Sequence, residues 1–161
     1  MEGHVNVTIL SLSRYEGGED KLAFAGKGLL RREGEGWHLR YTASARDGSR
    51  MASDLRLAEG VATLRNITGD YTLTLDPRRE TQTQIPTQAG TLTMAVKTRQ
   101  VDWQLNKAPG RITMDYTLMT LGQTVSDLHL TVYLTDKGGE NNDEYDPERK
   151  SASIEPDLGC L

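Results

Sequence analysis

Apolar and polar residues alternate with a period of two along most of this chain, and that pattern decides its fold class. Ile112, Met114, Tyr116 and Leu118 alternate with Arg111, Thr113, Asp115 and Thr117, and Leu128, Leu130, Val132 and Leu134 with His129, Thr131 and Tyr133. Leu92, Met94 and Val96 repeat the pattern, as do Tyr71, Leu73 and Leu75. Successive side chains of a strand point to opposite faces, so each run predicts one buried face and one wet face. The wet positions are rich in Thr, a β-branched polar residue suited to a pleated surface. No stretch keeps a helical period beyond two turns; 52–62 is the weakest strand reading and could hold a helical turn.

Further strands are read at 5–12, 21–30, 37–43, 51–58, 61–67 and 101–105, which brings the total to about ten. Between them lie turn residues: Glu16-Gly17-Gly18, Glu33-Gly34-Glu35-Gly36, Asp47-Gly48, Glu59-Gly60, Thr68-Gly69-Asp70 and Asp76-Pro77. Glycine supplies positive φ there without steric cost. An open sheet of that size exposes two long edges, and closure removes them. The expected fold is therefore all-β: a closed or nearly closed antiparallel barrel of about eight to ten strands. A two-sheet sandwich satisfies the same alternation.

Charge divides the chain into a barrel domain at 1–135 and an acidic, flexible tail at 136–161. The tail carries eight acids and three bases, a balance of −5, and leaves the rest fifteen acids and sixteen bases, or +1. A segment so polar cannot bury enough surface to offset its ordering entropy, although Ile154 and Leu158 could dock. The near-neutral body has no basic stripe of the kind that nucleic-acid binding needs. Cys160 is the one cysteine, which fits a reducing, cytoplasmic setting. No apolar run reads as a leader or a membrane span. A monomer and a homodimer are both compatible with these features.

From Thr83 to Leu134 the chain resembles a known family. Thr87-Gln88-Ala89-Gly90-Thr91-Leu92, then Val96-Lys97-Thr98, Gly110-Arg111-Ile112-Thr113-Met114-Asp115-Tyr116 and Leu128-His129-Leu130 look like the second half of the YwiB-like family. Its members are small bacterial domains of unknown function. The sequence departs from the pattern at Gln88, where Pro is frequent, and at Ile85, where Tyr is common. The resemblance implies a calycin, or lipocalin-like, barrel over roughly 5–135, and it implies no activity and no site residues.

The chemistry-bearing residues are sparse. His4, His38 and His129 share no ligand spacing, so no metal site is expected, and no cofactor. Cys160 lacks a fixed base, and no serine sits in a Gly-x-Ser-x-Gly elbow, so no catalytic residue is assigned and an enzyme ranks last. Arg40, Arg111 and Asp115 oppose apolar neighbours and should face water. Arg65 shares a phase with Val61, Thr63 and Ile67; if that face turns inward, the guanidinium needs an anionic partner. Trp37, Tyr41, Tyr71, Trp103 and Tyr116 fall in phase with apolar residues. With Arg65 they form the candidate ligand-binding set. The leading functional expectation is a module binding a small apolar or amphipathic ligand in the barrel; the alternative is a filled barrel acting through its outer surface or tail.

Overall fold

The computed structural model describes residues 1–136, all in strands and their connections. The ten strands are β1 (Gly3–Tyr15), β2 (Gly18–Glu33), β3 (Gly36–Ala45), β4 (Arg50–Ala58), β5 (Val61–Asn66), β6 (Tyr71–Leu75), β7 (Thr81–Thr87), β8 (Gly90–Gln104), β9 (Gly110–Thr120) and β10 (Gln123–Asp136). The expectations about a flexible tail, Ile154, Leu158 and Cys160 concern residues outside those described.

Every pairing is antiparallel, and the hydrogen-bonded order is β6-β5-β4-β3-β2-β1-β10-β9-β8-β7. Sequence neighbours pair throughout except β6 with β7, and β1 also pairs with β10. The two ends of this sheet, β6 and β7, meet and nearly close it into a barrel. They meet through side chains: Thr81 Oγ1 donates to the Thr74 carbonyl at 2.6 Å, and Thr83 Oγ1 donates to the Thr72 carbonyl at 2.7 Å. The carbonyls along this edge of β6 thus find donors without a further ladder, as buried backbone groups require.

The alternation sets the faces. Val5, Val7 and Ile9 of β1 point inward beside Leu134 and Val132 of β10, and Leu39, Leu55, Leu64 and Leu73 continue the same ring through β3 to β6. The core is one contiguous cluster. Ile112, Met114, Tyr116, Val132 and Leu134 are buried as expected, while Leu118, Leu128 and Leu130 share the inward face but are only half-buried.

Two bulges reconcile pleat with turn. The expected strands at 92–96 and 101–105 are one strand, β8, whose register shifts between Thr98 and Gln100. Met94, Val96 and Thr98 face inward before the shift, and Val101 and Trp103 after it, so the extra residue changes the parity. β7 supplies the tenth strand in place of the one lost to that merger. The 52–62 stretch is strand, a tight turn at Glu59-Gly60 and strand, with no helical turn.

Glycine has a specific task in β2. A Cβ on Gly26 would lie 1.9 Å from the Thr42 carbonyl oxygen of β3, and one on Gly28 would lie 2.7 Å from that of Arg40. The strand bends across its neighbour at a distance only glycine permits.

Candidate functional site

The bore of the barrel holds five of the six residues singled out from sequence. Trp37, Tyr41 and Tyr116 are buried, and Tyr71 and Trp103 are half-buried against the same core. Arg32 stacks on Trp37, its guanidinium carbon 4.7 Å from the ring centroid. Desolvation pushes the Tyr116 hydroxyl well above the usual phenol range, and Tyr71 and Tyr41 add to the shift. Burial likewise raises Tyr41, against a hydrogen bond with Ser53. Asn66 Nδ2 donates to the Tyr71 hydroxyl at 3.0 Å. Thr98 Oγ1, on the strand beside Tyr116, is buried without a hydrogen-bond partner among the described residues.

Arg65 is the exception, and the inward reading of its face is corrected. Ala62 and Leu64 point to the core, so Val61, Thr63 and Arg65 face out. The Arg65 guanidinium meets Asp70 at 2.9 Å on the outer surface. The turn after Asn66 removes Ile67 from the strand, and Ile67 is exposed. Arg40 and Arg111 are exposed as their phase predicts. Asp115 shares that outer face and pairs with His129.

The outer wall carries two histidine–carboxylate pairs. His38 meets Asp54, which also accepts from Arg40 at 3.1 Å. Desolvation works to raise the Asp54 carboxyl, but hydrogen bonds from His38 and Arg40 outweigh it and hold the group below the usual carboxylate range. The second pair opens onto a groove of about 430 Å³ on the face of β2, β1 and β10. Leu10, Leu12, Leu22, Ala23, Ser11, Lys21, His129 and Thr131 line it. Strand register explains the assembly: Ala23, Leu10 and Thr131 form one cross-strand row, and Lys21, Leu12 and His129 the next.

His129 sits between two side chains. Its Nδ1 contacts the Asp115 carboxylate, and its Nε2 lies 3.4 Å from Thr131 Oγ1. An ionised carboxylate only accepts, so Asp115 selects the tautomer that carries its proton on Nδ1. Nε2 is then an acceptor, and the Thr131 hydroxyl is the donor toward it. Sequence reasoning placed His129 and Thr131 on one wet face but did not bring Asp115 to them, because that needs the register of the β9–β10 hairpin. Among the described residues no group of three or more His, Cys, Asp or Glu could hold a metal ion. No helix among them is long and apolar enough to cross a membrane.

These features define a nearly closed, ten-stranded up-and-down β-barrel with an aromatic bore and an apolar groove on its outer wall. The chain belongs to the family described as Domain of unknown function (DUF1934), whose model matches residues 7–132. Among solved structures, it resembles the ywiB protein from Bacillus subtilis with a TM-score of 0.69 and 16% sequence identity, over 83% of this chain and 91% of that one. At that identity the likeness is one of fold. None of the curated proteins compared with the chain matches it.

Proposed function

We propose that this protein is a binding module for a small, neutral, amphipathic ligand, taken by the outer groove formed by β2, β1 and β10. The observation that carries the reading is the groove itself. Its volume of about 430 Å³ falls in the range of small-molecule sites, and four of its lining residues, Leu10, Leu12, Leu22 and Ala23, are apolar. Leu10, on the same outward face as Ala23 and Thr131, is 41% exposed, an apolar surface that a ligand would cover. The charges around it are matched: Lys21 has Glu19 at 3.9 Å, and His129 has Asp115. A ligand with an apolar body and an uncharged polar group fits that balance better than an anion. The calycin, lipocalin-like kinship and a cytoplasmic setting belong to the same proposal; the up-and-down strand order and the sparing use of cysteine support them.

A second reading keeps the ligand in the bore, among Trp37, Tyr41, Tyr71, Trp103 and Tyr116. The orphaned Thr98 hydroxyl favours it, because a guest or water there would supply the missing partner. Amide chemical-shift mapping with a panel of medium-chain alcohols and monoacylglycerols tests both. The groove reading expects saturable shifts confined to 10–12, 21–23 and 129–131, abolished by Leu10→Glu. Shifts centred on Thr98 and Tyr116, insensitive to Leu10→Glu, would transfer the site to the bore. No saturable shift with any compound would overturn the binding reading.

A further inference from the structure

We infer that the groove is also a catalytic site, in which Thr131 is the nucleophile and His129 the general base for hydrolysis of neutral esters with an apolar acyl chain. The inference rests on the groove reading above and names its substrate class.

A cross-strand His–Asp contact alone is ordinary surface pairing. Three further facts set this one apart. The imidazole is held from the Nδ1 side by Asp115 and faces a hydroxyl from the Nε2 side, which is the order carboxylate–imidazole–hydroxyl that activates an alcohol. The hydroxyl belongs to a residue only 9% exposed, and that residue lines the groove with its base. The groove also supplies an apolar wall for an acyl chain and one ammonium, Lys21, in the same cross-strand row as His129. The 3.4 Å separation of Nε2 and Oγ1 is the loose spacing common before substrate closes the site.

The chemistry balances with these groups. Thr131 Oγ attacks the ester carbonyl carbon as its proton passes to His129 Nε2, and the carbonyl oxygen becomes an oxyanion toward which the exposed Lys21 ammonium swings from its 3.9 Å contact with Glu19. The tetrahedral centre collapses, the C–O bond to the alcohol breaks, and His129 returns the proton to the leaving alkoxide. Water then attacks the acyl-Thr131 ester with His129 again as base. Carboxylic acid leaves and the Thr131 hydroxyl is restored. Asp115 touches no reacting atom and is a positioning residue: it fixes the tautomer that leaves Nε2 free to accept.

The experiment uses the full chain. A fluorophosphonate carrying an alkyl chain is incubated with the protein and the adduct located by peptide mass spectrometry, alongside turnover of p-nitrophenyl esters of graded acyl length. The expected result is one phosphonyl group on Thr131, formed with loss of fluoride. Ester turnover should fall about 100-fold or more in His129→Ala and in Thr131→Val, and persist in Thr131→Ser. Asp115→Asn should lower kcat with little change in KM, which a merely structural loss would not do. An adduct on any other residue, or turnover unchanged in His129→Ala, overturns the inference. If neither adduct nor turnover appears while the monoacylglycerol shifts at the groove persist, the catalytic inference falls and the binding reading stands. If those shifts are also absent, both fall.

Discussion

Replacing Thr81 and Thr83 together by valine should weaken the barrel where β6 meets β7. Each hydroxyl donates to a β6 carbonyl, at 2.6 and 2.7 Å, from a side chain only 8% and 4% exposed, so water has poor access to replace it. Loss of a net hydrogen bond costs about 0.5–1.5 kcal/mol, and an orphaned buried acceptor about 1–3 kcal/mol more. The methyl that replaces each hydroxyl returns under about 1 kcal/mol of burial. The balance is roughly 1–3 kcal/mol per site, or about 2–6 kcal/mol for the pair. In a domain of this size that lowers Tm by about 6–24 °C. Urea unfolding gives the magnitude, and native-state hydrogen exchange gives the place: amides of β6 and β7 should exchange by a local opening below the global unfolding energy. Thr63→Val, on the outward face of β5, is the control and should stay within about 0.5 kcal/mol of the parent. A double variant equally close to the parent would refute the idea that these hydroxyls close the barrel.

Thr98→Val should raise stability by about 1–2 kcal/mol in urea unfolding, because it removes a buried hydroxyl with no partner; a loss instead would mean that a water or guest satisfies it. Gly26→Ala should destabilise by about 3 kcal/mol or more, since the new methyl would sit 1.9 Å from a backbone oxygen that cannot rotate away. Asp76 is held below the usual carboxylate range chiefly by the Arg78 side chain, with the Arg78 backbone N–H and Arg79 adding to it. Its contribution is therefore present above the unfolded carboxylate pKa of about 4 and is lost as pH falls through the lower folded value. Denaturant titrations from pH 2 to 6 should show Asp76→Asn with a shallower acid loss than the parent; identical slopes would refute the assignment.

The wet and dry faces were legible because alternation encodes them directly, and the strands from β1 to β6 fall within a few residues of their sequence reading. What period two does not encode is a change of parity. In β8 the inward set passes from even to odd numbers across Thr98–Gln100, so one strand reads as two. In the β9–β10 hairpin the clue was present. A two-residue turn at Leu121-Gly122 pairs even with odd positions, yet the apolar sets of both strands are even. A bulge is therefore required, and the structure has it between Thr124 and Ser126. That single step sets His129 opposite Asp115. Arg65 failed for a different reason. Its strand is only six residues long, and Val61 and Ile67 at its margins outweighed the small inward Ala62 in the apolar pattern. β7 was missed because Gln82, Gln84 and Pro86 give it no aliphatic rhythm, while its inward positions are threonines committed to the barrel closure.

The pairing of β1 with β10 carries a consequence for how the molecule is made. β1 leaves the ribosome before the other strands of the barrel, yet one of its neighbours is β10, with Arg14 opposite Asp127 and Val5 opposite Asp136. Until nearly the whole barrel sequence has been synthesised, one edge of β1 has no mate, and contacts of such long sequence separation are slow to form. The outer groove spans this same junction, with Leu10 and Leu12 from β1 and His129 and Thr131 from β10. A nascent or truncated chain therefore holds only part of the pocket. Any activity of the groove would double as a reporter of the assembled barrel.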